Sequence, residues 1–327
     1  MATLKDVAKE AGLTVSTVSR ILNNRGYISD NARQKVEKAM KKLNYFPNEA
    51  ARSLQGKSTN TIGIIVPHIH HPYFAGMISH LEAQARKKGY KVLLCNSQYT
   101  QEKEEESIKM CISSKVAGVI YCSEPKEPKP LEESDIPIVT IGHFSEQGRA
   151  SVECDHKQGG SLAVEKLSSC GCERLLYIDC LDPPFLSACL CAEGVRETSE
   201  KKKLFCAEFS LGGGETHLHN RKYGDLIEKA LRKYPKTDGI FAGSDVIAAQ
   251  VLQVCRRRCI SVPEQMKIIG FDDADIASLT TPELTTVHRP VKEMAEIAVN
   301  LLHDSAAGKL VAKRTVLPVY LVERETT

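Results

Sequence analysis

Near the amino terminus, Val15, Ser16 and Arg20 fall within one short predicted helix, VSTVSRILN. Ser16 and Arg20 are four residues apart and therefore share a helix face. An arginine guanidinium can donate two hydrogen bonds to O6 and N7 of guanine, and a valine offers an apolar contact to a thymine methyl group. These residue types at this spacing indicate a surface that contacts base edges. The alternative is a small helical bundle in which Arg20 is only solvated.

A second set of side chains that could contact a ligand follows two predicted strands. Tyr73 and Phe74 come shortly after the buried strand TIGIIV, and Asp272 follows the strand KIIGF. The two aromatic rings could stack on a flat ring, and the carboxylate could accept hydrogen bonds from hydroxyl or ring N–H groups. Core packing is the alternative for Phe74, because its position fits the apolar face of a helix.

Several histidines and cysteines raise the question of a metal site. His68, His70 and His71 lie in a loop without the fixed spacing of a helical metal motif, and Cys170 and Cys172 form only a C-x-C pair. We therefore expect no metal and no cofactor. The sequence shows no nucleophile elbow, P-loop or H-E-x-x-H motif, so we do not expect an enzyme.

Three short helices are predicted to position the base-contacting side chains. Thr3 and Asp6 have the spacing of a capping box before the first helix, which ends at Gly12. Thr14 is placed to cap the second helix, and Ser29 or Asp30 the third. Two short helices joined by a glycine-containing turn predict a helix-turn-helix, whose second helix meets the major groove.

The segment PNEAARSLQGK, residues 47–57, predicts a short helix from Asn48 to about Gln55. Its apolar face is too small for an isolated helix to be stable. Contacts with DNA and with a second copy of the chain would supply the missing stabilisation, and a leucine could then wedge between base steps. A plain linker is the alternative.

From Thr61 onward, predicted strands and helices alternate in two successive sets. This alternation predicts parallel sheets with right-handed crossovers, and two sets predict two lobes. Ligands of such sheets bind outside the carboxyl ends of the strands. The predicted small-molecule site therefore lies between the lobes.

Charge is distributed unevenly along the 327 residues. Residues 1–60 contain 11 basic and five acidic residues, a net charge of +6, whereas the whole chain has a net charge of +3. A basic head favours a polyanionic partner. The amino terminus shows no secretory signal and no apolar run is long enough to span a membrane, so we expect a cytoplasmic protein with free thiols.

The motifs LKDVAKEAGLTVSTVSRILN and LNYFPNEAARSL resemble the LacI/GalR family of bacterial repressors. The resemblance implies that Val15 and Ser16 determine specificity, that Arg20 contacts a base and that Leu54 of a hinge helix at residues 48–56 intercalates. The complete set of predicted DNA-contacting residues is Thr3, Val15, Ser16, Thr17, Arg20, Asn23, Ala51 and Leu54.

The body resembles the effector domain of the same family, which is like the periplasmic sugar-binding proteins. The resemblance implies an effector site formed by Tyr73, Phe74, Ser187, Phe209, Ser244 and Asp272. Two positions depart from the family pattern: Cys191 stands where many members have an arginine that grips the ligand, and Gly142 where many have an acid. Both departures remove polar groups from the expected pocket.

We therefore predict an all-α helix-turn-helix head followed by an α/β two-lobed, periplasmic-binding-protein-like domain with two parallel, Rossmann-like sheets. The predicted boundaries are 1–46 for the head, 47–60 for the hinge and linker, and 61–327 for the effector and dimerisation domain. Its first lobe would comprise residues 61–158 and 290–313, and its second lobe residues 159–289 and 314–327.

The predicted function is a sequence-specific DNA-binding regulator, acting as a repressor under a small-molecule effector, with a sugar as the favoured class. Its predicted partners are a pseudo-palindromic DNA operator, the effector and a second copy of the chain, with no membrane. The alternatives are a solute-binding protein without a DNA role and a regulator that responds to a non-sugar ligand. A solute-binding protein would need a signal peptide and no basic head, and the sequence shows the reverse.

Overall fold

The computed structural model describes residues 2–22, 28–45, 59–98, 100–122, 134–144, 149–180, 186–212 and 222–327. The chain forms two compact units, residues 1–59 and 60–327. Within the described ranges, no helix is both long and apolar enough to cross a bilayer.

The first unit contains the three predicted helices. Its core is formed by the apolar faces of these helices, with Val7, Val18 and Val36 almost fully buried. The helices are α1 (Leu4–Ala11), α2 (Val15–Leu22) and α3 (Asp30–Lys42). Helix α1 ends at Gly12, whose φ of +65° is a conformation that glycine adopts without strain.

The second unit has two lobes, each built on a parallel sheet covered by helices, as predicted. The first lobe begins with the elements β1 (Thr61–Val66), α4 (Pro72–Lys87), β2 (Lys91–Asn96), α5 (Gln101–Ser113), β3 (Val119–Tyr121), β4 (Ile138–Ile141) and β5 (Ala150–Cys154). Strands β1, β4 and β5 are almost entirely buried, as expected for a sheet covered on both faces.

The second lobe follows directly. Its elements are α6 (His156–Ser169), β6 (Arg174–Asp179), α7 (Leu186–Lys202), β7 (Phe205–Ser210), α8 (Gly224–Lys233), β8 (Gly239–Ala242), α9 (Asp245–Arg257), β9 (Lys267–Asp272), α10 (Ile276–Leu279) and β10 (Thr285–His288). Helices α6 and α7 lie in backbone contact. A Cβ atom at Gly160 would lie 2.2 Å from the Cys191 carbonyl oxygen, and one at Gly194 would lie 2.0 Å from the Lys157 carbonyl oxygen.

The chain then crosses between the lobes twice more. Helix α11 (Val291–Ala306) returns to the first lobe and packs against β4 and β5. The last two strands are β11 (Arg314–Leu317) and β12 (Tyr320–Val322). The strand order is β11-β5-β4-β3-β1-β2 in the first sheet and β12-β10-β9-β8-β6-β7 in the second.

Strand β11 corrects one predicted boundary. We predicted that residues 314–327 belong to the second lobe, but β11 pairs in parallel with β5 of the first sheet, with Arg314 opposite Ser151. Only after Pro318, which has no N–H to continue the ladder, does the chain join the second sheet, where β12 pairs antiparallel with β10. The carboxyl-terminal segment therefore contributes an edge strand to each lobe.

Candidate functional site

Helix α2 of the head divides into a buried and an exposed face. Val18 and Ile21 are buried in the head core, whereas Ser16 and Arg20 are exposed and Val15 retains 41% of its accessible surface. An isolated apolar side chain at the start of a helix, next to a serine and an arginine, forms a surface that can meet the edges of base pairs.

Side-chain caps hold this helix and the one before it. The Thr17 backbone N–H donates to Thr14 Oγ1 at 3.2 Å, which confirms the predicted cap of α2, and the Thr17 hydroxyl lies 2.8 Å from the Thr14 hydroxyl. Thr3 forms the predicted capping box: its backbone N–H donates to Asp6 Oδ2 at 2.8 Å, and the Asp6 backbone N–H donates to Thr3 Oγ1 at 3.4 Å. The other predicted DNA-contacting residues, Asn23, Ala51 and Leu54, lie outside the described residues, as does the hinge segment 48–56.

A cavity of about 160 Å³ lies between the lobes, where the carboxyl ends of the strands face each other. Helix α4 of the first lobe contributes two aromatic rings, and the second lobe contributes hydroxyl and carboxyl groups. The cavity brings together five of the predicted effector residues, Tyr73, Phe74, Ser187, Ser244 and Asp272.

Phe209 is placed elsewhere. It is the penultimate residue of β7, the edge strand of the second sheet, and its half-buried ring packs against the core of the second lobe. Among the described residues that line the cavity, Phe209 is absent.

Arg289 is a cavity residue that the sequence reasoning missed. It follows β10 directly, and its Nη1 lies 3.2 Å from Asp272 Oδ1 at the end of the neighbouring strand β9. The guanidinium also lies over the Tyr73 ring, 3.8 Å from the ring centroid. Asp272 is 5% exposed and Arg289 12% exposed, so this is a buried ion pair.

Two hydrogen-bonding atoms at this place have no partner among the described residues. They are the Tyr73 hydroxyl and Arg289 Nε, and both are buried. A buried polar group without a hydrogen bond costs roughly 1–3 kcal/mol. Both atoms belong to residues that line the cavity, and both are covered by neighbouring atoms rather than exposed to it.

Asp179 places a second, half-buried carboxyl group at the end of β6. It accepts hydrogen bonds from the Tyr177 hydroxyl at 2.6 Å and from the Cys180 backbone N–H at 2.7 Å. The carboxylate rests on Gly243, where a Cβ atom would lie 2.1 Å from it. A glycine at this strand end is therefore required for Asp179 to reach the cavity.

Burial sets the protonation of groups in and beside the cavity. It raises the pKa of Asp272 to about 7, against the opposing effect of Arg289, and it raises the pKa of Asp179. Burial, assisted by Arg289, holds the pKa of His156 well below its usual range, so that this ring is uncharged. Among the described residues that line the cavity, Arg289 is the one arginine or lysine, facing two carboxyl groups.

The two departures from the family pattern contribute no charge. Cys191 is 3% exposed, and burial followed by the nearby Asp179 raises the pKa of its thiol. Gly142 lines the cavity with a φ of +95°. The next residue, His143, is buried beside Tyr121, and burial lowers its pKa to about 4.

Comparison with known proteins bears on both units. Residues 3–48 match the model for bacterial regulatory proteins of the lacI family, and residues 164–327 match a periplasmic binding protein-like domain. The chain is 32% identical, over 100% of its length and 99% of the relative's, to the sucrose operon repressor of Streptococcus mutans. The chain belongs to the LacI family. It is accordingly a DNA-binding transcriptional regulator with an effector domain, as the sequence predicted.

Two solved structures support the fold of this LacI-family protein. One is a periplasmic binding protein/LacI transcriptional regulator from Alkaliphilus metalliredigens in complex with D-xylulofuranose, with a TM-score of 0.73 and 30% identity, covering 82% of this chain and 99% of that one. The other is a lac repressor dimer bound to operator and an anti-inducer, with a TM-score of 0.86 and 23% identity, covering 99% of this chain and 98% of that one.

Proposed function

We propose that this LacI-family protein is a repressor whose affinity for its operator is controlled by a neutral sugar bound between the two lobes. The observation that supports this most directly is the Asp272–Arg289 ion pair, which lines the cavity with its guanidinium over the Tyr73 ring. Sugar hydroxyls both donate and accept, so one ligand could hydrogen-bond to the carboxylate and to the guanidinium together.

Size and charge favour a small neutral sugar. The cavity of about 160 Å³ is smaller than the ~300–1,000 Å³ typical of ligand pockets, which favours a ligand the size of a monosaccharide. A phosphate group would face the carboxyl groups of Asp179 and Asp272 with Arg289 as its one arginine partner in the described lining, so we expect sugar phosphates to be rejected. The names of the S. mutans repressor and of the D-xylulofuranose complex also favour a sugar.

For the DNA-binding head, we propose that Val15, Ser16 and Arg20 contact base edges of an operator half-site. Thr3, Thr17 and Asn23 would contact the same half-site. A helix-turn-helix contacts two half-sites when dimeric, so we propose a homodimer on a pseudo-palindromic operator, with Ala51 and Leu54 at its centre. Because its target is chromosomal DNA, we place the protein in the cytoplasm, and we assign it no catalytic activity.

The proposal is tested by titrating a fluorescent operator, selected from random DNA, with the purified protein. Anisotropy is measured without ligand and with D-ribose, D-glucose, D-fructose, sucrose and the corresponding phosphate esters. We expect at least one neutral sugar to change operator affinity by ~10-fold or more, which corresponds to ~1.4 kcal/mol of coupling, and its phosphate ester to have no effect.

Two matched variants locate the site. Asp272→Asn should bind the operator as the wild type does and lose the response to the sugar, because it removes the buried carboxylate. Asp275→Asn changes an exposed carboxylate three residues further on and should respond normally. A wild-type response in Asp272→Asn would show that the ligand binds elsewhere.

A further inference from the structure

Next to the main cavity lies a smaller cavity of about 90 Å³, here called the side chamber. It shares Asp179 and Arg289 with the main cavity, and its inner wall includes His156, Cys191 and Phe271. The His156 and Phe271 rings are stacked, with centroids 5.5 Å apart and planes inclined by 10°. The lining of the side chamber thus combines a stacked pair of uncharged rings with the side chains of Asp179 and Arg289.

The space exists because the side chain at position 191 is short. Helix α7 is held against α6 by backbone contacts at Gly160 and Gly194, so the direction of Cys191 is fixed. Its thiol is buried near Asp179 and uncharged. A longer side chain at this position would extend toward Asp179 and fill the side chamber.

Arg289 provides the cation that position 191 lacks, and it does so from a different direction. The guanidinium enters from the end of β10 and is held by Asp272 and by the Tyr73 ring. It lines both the side chamber and the main cavity. The cleft therefore contains a guanidinium group, while the side chamber beside Cys191 stays vacant.

We propose that the side chamber is a subsite for the exocyclic hydroxymethyl group of a hexose or ketohexose effector. The hydroxyl of this group would donate to Asp179 and accept from Arg289, while its methylene carbon would contact the stacked His156 and Phe271 rings. A cavity of about 90 Å³ has room for such a group, since a single water needs only ~10–15 Å³. This inference rests on the proposed sugar effector and names its class.

The first test uses pairs of sugars that differ only in this group. The pairs are D-xylose and D-glucose, L-arabinose and D-galactose, D-ribose and D-allose, and D-xylulose and D-fructose. By isothermal titration calorimetry, we expect the wild type to bind the six-carbon member of one pair at least ~10-fold more tightly than its five-carbon partner. Equal binding of both members, or preference for the five-carbon sugar, would overturn the proposal.

The second test fills the side chamber with Cys191→Arg. We expect this variant to lose at least ~10-fold in affinity for the preferred six-carbon sugar and to keep its affinity for the five-carbon partner. Cys189→Arg places the same side chain on an exposed position of helix α7 and should bind as the wild type does. An unchanged sugar preference in Cys191→Arg would also overturn the proposal.

A measurement without ligand separates this inference from the proposed function. If the side chamber is vacant, the new arginine enters it opposite Asp179, and the melting temperature of Cys191→Arg stays within ~2 °C of the wild type. A much larger decrease, as overpacking of a filled core produces, would refute the side chamber whatever the sugars do. Binding of none of the sugars to the wild type would instead refute the sugar effector, and with it the subsite.

Discussion

The buried pair of Arg289 and Asp272 leads to a prediction that depends on pH. We consider Arg289→Gln, which removes the guanidinium and keeps a polar side chain of similar length. In the wild type, burial already raises the pKa of Asp272 from 3.8 to about 7, even though Arg289 opposes this effect. Without the guanidinium, we expect the pKa of Asp272 to rise further, so that the folded variant keeps this proton in neutral and mildly alkaline solution.

The direction in which stability changes with pH follows from proton linkage. Between pH 3.8 and about 7, Asp272 is protonated in both folded proteins and ionised in the unfolded chain, so both proteins lose stability equally as the pH rises. In this range the variant lacks mainly the contact of Arg289 with the Tyr73 ring, worth ~0.5–2 kcal/mol. Above about pH 7 the folded wild type releases its proton, whereas the variant continues to lose ~1.4 kcal/mol for each pH unit.

The decrease in the free energy of unfolding caused by Arg289→Gln should therefore be ~2 kcal/mol larger at about pH 8.5 than at about pH 6. Because the chain contains no tryptophan, unfolding in urea is best followed by far-ultraviolet circular dichroism. Arg174→Gln is the matched control, since its guanidinium lies 4.4 Å from the centroid of the exposed Phe205 ring on the surface. Equal losses for Arg289→Gln at both pH values would refute the coupling of this arginine to Asp272.

Three further predictions concern single side chains. Arg20→Ala should reduce specific operator binding by ~1–3 kcal/mol and relax selection at one base of each half-site, as measured by anisotropy against operator and random DNA; retained preference for the operator would exclude Arg20 as a base contact. Gly243→Ala should displace the Asp179 carboxylate, which would lie 2.1 Å from the added Cβ, and lower stability by ~1–3 kcal/mol. The control Gly76→Ala, with nothing within 4 Å of its Cβ, should be tolerated, and equal melting curves for the two variants would contradict this prediction. Thr3→Ala should cost the head ~1 kcal/mol through loss of the capping box, detectable in its thermal transition, and an unchanged transition would argue against the cap.

The parts of the fold that depend on local chemistry could be predicted from the sequence. The capping box of Thr3 and Asp6, the cap at Thr14 and the end of α1 at Gly12 each depend on atoms within a few residues. The alternation of strands and helices also identified both sheets, because buried parallel strands are continuously apolar. Asp272 was predicted to lie at the cleft because the strand before it ends there.

The parts that depend on distant partners could not be predicted. Arg289 follows a strand of only four residues, and its side chain is held in the cavity by Asp272 on the next strand and by the Tyr73 ring in the other lobe. The placement of β11 depends on its pairing with β5, about 160 positions earlier in the chain, and no local pattern distinguishes the two sheets. Phe209 was expected in the cleft by resemblance alone, but its half-buried ring packs against the second-lobe core.

The division of residues 314–322 between the two sheets has a consequence for how the protein is made. Strand β11 completes one edge of the first sheet and β12 one edge of the second, and helix α11 covers part of the first sheet. Domains of a growing chain usually fold in the order in which they emerge from the ribosome. Here neither sheet is complete until residues 314–322 have been synthesised. The two lobes therefore complete their folding together, late in translation. Until then, β5 of the first sheet and β10 of the second lack the strand that pairs with them.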